Sequence, residues 1–380
     1  MRQLFLFPSL VLAIASQAQP YVIGDRTIDF FDATRNRTIT TDLYYPGVAA
    51  GGDVAVATGE FPVLVVGHGF VMGVGSYANF WNYFVPKGYI VALPTTEGGF
   101  APDHAAFGAD LAYVAQALQA ANVDGASPFF GHVAAASALM GHSMGGGASV
   151  LGAAGNASIQ AVVSFAPAET DPSAIAAAAN VLVPTMVFAA SEDCVAPIAD
   201  HQGPIYDALT VPCRAFVNIL GGGHCYFAES NFNCSFGELT CGPDLTISRE
   251  EQHNVMNDFA GLWLDHYLKG DPQAIVAVLD SLGSSTRVQT EYSCLSTSIA
   301  ERSALEWSLS PTIANDRIVL SDVPGRALAR VCDVTGRVVL LPPLVSAGST
   351  VEVSGLPSGV YHLVLVVNGA PSVRPFVVVH

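Results

Sequence analysis

The sequence predicts an α/β fold with a mostly parallel sheet flanked by helices, followed by a small all-β domain. Three observations point there. Continuous apolar runs, the first of them FPVLVVGHGF (61–70) ending at glycines, recur between residues 61 and 222. Such runs suit strands buried on both faces. They alternate with helical stretches, as βα crossovers do. Beyond about residue 306 short alternating strands with Gly and Pro turns take over, which reads as a β-sandwich domain.

The chain opens MRQLFLFPSLVLAIASQA (1–18). Arg2, the apolar stretch from Leu4 to Ala15, and the small residues Ser16 and Ala18 predict a secretory signal peptide, with the mature chain starting at Gln19. No later stretch reads as a transmembrane segment. TITTDLYYPG (38–47) alternates like an edge or hairpin strand. Residues 61–70 and GYIVALPTT (88–96) are core strands, with a short helix, SYANFWNYFVPK, between them. Phe107, Leu111, Val114 and Leu118 mark a helix over 103–120 that Asp103 can cap. ASALMG (136–141) is the third core strand, and 144–154 a helix of small residues. QAVVSFAP (160–167), VPTMVFAA (183–190) and RAFVNILGG (214–222) complete the strands, and 255–270 is a closing helix. The expected organisation is a signal peptide (1–18), a catalytic domain (19–272), a linker (273–305) and the β domain (306–380).

The formal charge is −17, with 32 acidic residues against 15 basic. Such a surface repels phosphate backbones and anionic membranes, which excludes a nucleic-acid partner. Seven cysteines occur, at 194, 213, 225, 234, 241, 294 and 332. No C-x-x-C is present and the spacings do not suit a zinc site. In an exported chain Cys194, Cys213, Cys225, Cys234, Cys241 and Cys294 are disulfide candidates. Cys194–Cys213 is the first pairing expected, with Cys332 alone in the β domain.

The chemistry centres on SALMGHSMGGGASVLG (137–152). Gly141-His142-Ser143-Met144-Gly145 is G-x-S-x-G between a strand and a helix, a sharp turn that presents Ser143 as a nucleophile. The Met144 N–H, at the helix start, faces a developing oxyanion. Asp193 follows the fifth strand and His224 the sixth, in the order Ser, Asp, His that this layout uses. Glu192, Asp171 and Asp200 compete as the acid, and His201 and His266 as the base. HGF (68–70) supplies the second oxyanion donor, the Phe70 N–H. The Phe70 ring and His142 are candidate substrate contacts, although His142 also suits packing against the loop. His68 is expected to hold that loop by a hydrogen bond. The stretch 226–250 reads as a long loop walling the substrate. A triad of this kind cleaves esters through an acyl-enzyme and requires neither metal nor organic cofactor.

FPVLVVGHGF, GHSMGGGAS, VPTMVFAASEDCVAP followed by PIYDAL, and GGGHC together resemble the secreted α/β-hydrolases of the cutinase-like polyester hydrolase and dienelactone hydrolase branch, over about residues 58–267. The resemblance implies an α/β-hydrolase fold, Ser143, Asp193 and His224 as the triad, and Phe70 and Met144 as the oxyanion hole. It implies hydrolysis of short-chain or small esters, with polyester hydrolase or lipase as the alternative. A non-catalytic surface module is the reading outside enzymes. LSPTIANDRIVL, CDVTGRVVL and LPSGVYHLVLVVNG resemble the sorting domain of the type IX secretion system. That likeness implies the type IX secretion machinery as a partner and an extracellular or outer-surface location. By fold alone the same segment reads as an accessory binding module.

Overall fold

Val63 and Val65 pack on one side of the first core strand, and Leu64 and Val66 on the other. Successive side chains in a strand point to opposite faces. A strand apolar at every position therefore needs cover on both, and the computed structural model of the chain shows that cover. It describes residues 20–294 and 307–380, apart from 324, 326, 334–337, 343 and 368–369. The predicted signal peptide (1–18) and residues 295–305 of the predicted linker lie outside the described residues. The chain divides into two units, 1–295 and 296–380.

The first unit is built on a ten-stranded sheet. Its strands are β1 (Val22–Asp32), β2 (Arg37–Gly47), β3 (Gly51–Gly52), β4 (Phe61–Gly67), β5 (Ile90–Pro94), β6 (Val133–His142), β7 (Ala161–Phe165), β8 (Thr185–Ala190), β9 (Cys213–Ile219) and β10 (Val288–Cys294). Their order is β10-β9-β8-β7-β6-β4-β5-β2-β1-β3. The six strands from β9 to β5 run parallel. An antiparallel hairpin, β1–β2, extends one side and antiparallel β10 the other. The helices are α1 (Ala78–Phe84), α2 (His104–Ala121), α3 (Met144–Ala153), α4 (Ala174–Ala178), α5 (Gln202–Ala208), α6 (Phe232–Cys241), α7 (Arg249–Lys269) and α8 (Pro272–Ser284). Phe80 of α1, Trp263 of α7 and Val278 of α8 share a core with Leu64 and Val66. Leu111 of α2, Val150 of α3 and Ile205 of α5 share the other with Val63 and Val65. Asp103 caps α2 as expected, accepting from the Ala106 N–H at 2.9 Å.

The hairpin is fastened to the core by ions. Asp110 on α2 is fully buried. Its two oxygens accept from Arg37 at 2.9 and 2.7 Å, from Arg35 at 2.7 Å and from the Thr96 hydroxyl at 2.6 Å. Arg37 also reaches Glu97 at 2.6 Å. The Thr34 hydroxyl and the Arg35 guanidinium hold the Asp32 carboxyl down to about 2.

Three expectations need correction. The linker placed at 273–305 begins too early: α8 and β10 belong to the first unit. Pro272 opens α8 behind the Asp271 cap, and Ala274, Val278 and Leu282 bury one face of it. β10 then pairs with β9 along Val288–Cys294. The pairing Cys194–Cys213 is not formed. Cys194 bonds Cys241, Cys213 bonds Cys294, and Cys225 bonds Cys234. Cys213 opens β9 directly opposite Cys294 in the β10 register, which is why it does not reach the loop of Asp193 and Cys194. The stretch 226–250 contains a helix, α6, capped by the Asn231 side chain at the Cys234 N–H.

The second unit has a three-stranded and a five-stranded sheet. Trp307, Ile318, Leu320, Val331, Leu363 and Phe376 lie in its own core. Cys332 there is a free thiol.

Candidate active site

Ser143 stands between β6 and α3 with φ 56° and ψ −120°, a backbone that a residue with a Cβ adopts only under constraint. The constraint is close packing of the turn. A Cβ on Gly141 would lie 2.1 Å from the Gly145 carbonyl oxygen, and one on Gly145 would lie 2.2 Å from Gly67. Glycine at both flanks lets α3 start hard against the β4 and β6 ends. The turn is pinned by the Ser143 N–H to the Phe165 carbonyl at 3.0 Å. Met144 is the first residue of α3, so the helix ladder does not use its N–H.

Asp193 and His224 meet although 31 residues separate them. Nδ1 of His224 donates to Oδ2 of Asp193 at 2.7 Å, and both side chains are almost wholly buried. Oδ1 of Asp193 accepts from the N–H groups of Val195 and Ala196 at 3.0 and 2.8 Å. That use of both oxygens fixes the carboxylate, and Nδ1–H fixes the tautomer, leaving Nε2 of His224 as the lone-pair nitrogen. Three of the competing groups are engaged elsewhere. His201 accepts from the Glu169 N–H, His266 lies against the Asp271 carbonyl, and Glu192 accepts from the Ser191 hydroxyl.

His142 corrects one expectation: it is not a substrate contact. Its ring is fully buried. Nε2–H donates to the His224 carbonyl at 3.0 Å, and Nδ1 accepts from the Tyr77 hydroxyl at 3.1 Å. The Tyr77 oxygen accepts in turn from the Gly69 N–H at 2.6 Å. A chain of hydrogen bonds thus joins the loop of Phe70 to the loop of His224. Burial, then the facing His224 ring, pushes the His142 imidazole well below its usual range, so it stays neutral. His68 does hold the loop: its ring nitrogens lie 2.9 Å from the Gly69 carbonyl and 2.8 Å from that of Thr96. Phe70 is half-exposed, with Phe100 edge-on to it at 6.4 Å.

The loop of His224 is held from several sides. Gln252 of α7 bonds both the N–H and the carbonyl of Gly223, at 3.0 and 2.9 Å. Glu238 of α6 accepts from the Cys225 N–H at 2.8 Å, and Arg249 donates to the carbonyls of Cys225 and Ala228. Sequence reasoning did not find Tyr77, Gln252 or Glu238. Each acts through a contact distant in the chain, and no local pattern marks it. Among the described residues, no group of three or more His, Cys, Asp or Glu side chains is placed to hold a metal ion, and no helix is long and apolar enough to cross a membrane.

A parallel sheet that carries such a turn at one strand end and an Asp–His pair beyond two later strands is characteristic of the α/β-hydrolases, and the fold falls in that class. Within it, the chain belongs to the PET hydrolase-like (PETase) family, which matches residues 17–240, more than half its length. A bis(hydroxyethyl) terephthalate hydrolase from Streptomyces coelicolor is 27% identical over 225 residues, covering 58% of this chain and 65% of that protein. Cutinase 1 of Thermobifida cellulosilytica is 32% identical over 88 residues, 23% of this chain and 32% of the cutinase. Cutinase est2 of Thermobifida alba is 30% identical over 101 residues, 26% of this chain and 32% of that protein. The match thus spans less than two thirds of each relative.

Proposed function

We propose that this protein is a secreted carboxylic ester hydrolase working through an acyl-enzyme on Ser143. His224 Nε2 takes the proton from the Ser143 hydroxyl as its oxygen attacks the ester carbonyl. The tetrahedral oxyanion rests on the N–H groups of Phe70 and Met144, each contributing about 3 kcal/mol in the transition state. His224 then protonates the leaving alcohol, and water cleaves the acyl-enzyme with His224 again as base. Asp193 orients the imidazole and stabilises its charge. The observation that carries this reading is the buried 2.7 Å Asp193–His224 bond beside the strained Ser143 turn. The names of the relatives favour small terephthalate or cutin-type esters as substrates, and the exposed Phe70 and Phe100 suit an aromatic or aliphatic acyl group. The second unit, with a core of its own, is proposed as the export sorting module.

The test is hydrolysis of p-nitrophenyl esters and bis(hydroxyethyl) terephthalate by the wild type and by Ser143→Ala. The variant is expected to lose at least about 10³-fold in kcat/KM with an unchanged Tm, and a fluorophosphonate is expected to label the wild type alone. Full activity in Ser143→Ala would refute the assignment.

A further inference from the structure

α6 is amphipathic in an inverted sense. It is tied down at Cys234, Glu238 and Cys241, by the Cys225–Cys234 and Cys194–Cys241 disulfides and by the Glu238 bond to the Cys225 N–H. Two residues before each, about 160° round the helix, stand Phe232, Phe236 and Leu239. These three are 81%, 60% and 80% exposed. An exposed apolar stripe of that kind marks an interaction surface, since none of the described residues covers it and the helix is held without it.

The position of α6 says what the surface serves. One disulfide ties it to the residue after Asp193 and the other to the residue after His224. Asn233 donates to the Val71 carbonyl, one residue beyond Phe70. The helix is therefore latched to the acid, base and oxyanion loops together. The only charged side chain between 232 and 241 is Glu238, and it is buried. The chain as a whole carries −17, which disfavours an anionic bilayer. Phe70 and Phe100, on the oxyanion side, add exposed aromatic surface to the same rim.

We infer that the outward stripe of α6, Phe232, Phe236 and Leu239, seats the catalytic rim on a neutral, apolar polyester surface. The inference rests on the ester hydrolase reading for the use of that contact, but adsorption is measurable without turnover. Phe232→Ser, Phe236→Ser and Leu239→Ser are combined on a Ser143→Ala background, and depletion from solution onto poly(ethylene terephthalate) and poly(butylene succinate) powders is measured. Adsorption is expected to fall at least about tenfold. On the active background, hydrolysis of the powders falls with it, while kcat/KM on soluble p-nitrophenyl acetate changes less than about twofold. Phe232→Ser alone, at the first turn of the helix, repeats the measurement with the smallest perturbation.

Unchanged adsorption in both variants overturns the inference. So does a wild-type dimer, by light scattering, that the substitutions split, because the stripe is then a self-interface. Binding of the Ser143→Ala chain to phosphatidylglycerol vesicles as tightly as to polymer overturns it too. A wild type that adsorbs through the stripe but cleaves neither solid nor soluble ester removes the hydrolase reading and leaves the docking surface standing.

Discussion

His142 donates from Nε2 to the backbone carbonyl of His224 at 3.0 Å, so the residue beside the proposed nucleophile supports the proposed base from behind. The same ring accepts from Tyr77, whose oxygen holds the Gly69 N–H. The loops of Phe70 and His224 are thus joined through one buried phenol and one neutral imidazole.

Tyr77→Phe removes the hydroxyl and leaves the Gly69 N–H and His142 Nδ1 buried without those partners. Each unsatisfied group costs about 1–3 kcal/mol. The expected result is a lower Tm and a kcat reduced about tenfold, with KM little changed, because the loss acts on the loop of Phe70. Steady-state kinetics on a soluble ester separates the two constants. A shift in KM alone would contradict the role.

Stability should fall on acidification through His142. The folded chain keeps this imidazole neutral well below its usual range, because of burial and the facing His224. The unfolded chain takes up a proton near pH 6.5. Below that pH the unfolded state binds more protons, and stability drops by up to about 1.4 kcal/mol per pH unit for this one group. The contribution is fully present above pH 7 and is lost as pH falls. His142→Gln, which cannot take up that proton, is expected to show a flatter Tm between pH 6.5 and 5 by calorimetry.

The disulfides should divide stability from activity. Cys213–Cys294 closes a separation of 81 residues and Cys225–Cys234 one of 9. Loop-closure entropy makes the first worth about 4.5 kcal/mol and the second about 2.5 kcal/mol. Replacing Cys213 and Cys294 by Ser is expected to lower Tm more while leaving kcat/KM near normal. Replacing Cys225 and Cys234 is expected to lower Tm less and kcat/KM more, since Cys225 adjoins the proposed base. Melting curves and ester kinetics on both double variants decide it.

Asp110→Ala strips a buried carboxylate from Arg35 and Arg37. Breaking a buried ion pair on one side costs about 3–5 kcal/mol. Urea denaturation is expected to show a loss near the lower figure, because Asp32 and Glu97 still pair with the two arginines.

The core strands and the Ser143 turn were legible because each is a local pattern, an apolar run or a spaced set of glycines. The Asp193 and His224 positions were legible for a related reason: both directly follow an apolar strand, so their place at the sheet rim follows from strand order. β10 was not, since VQTEYSC is mostly exposed and has no apolar alternation to announce it. α6 was not, because its stabilising contacts are two sulfur bridges and one carboxylate rather than a buried apolar stripe. The disulfide partners were hidden for the same cause: sheet register, not chain spacing, puts Cys213 opposite Cys294. Tyr77 and His142 show the limit most directly, as the sequence places them 65 residues apart.

Cys294 is the last residue of β10, and the boundary with the second unit follows after residue 295. Any pull transmitted along the backbone from the C-terminal side therefore meets a sulfur–sulfur bond to β9 before it meets the hydrogen bonds of the β10 ladder. The terminal strand therefore cannot be peeled away residue by residue, because the load passes through the bridge into β9, inside the sheet.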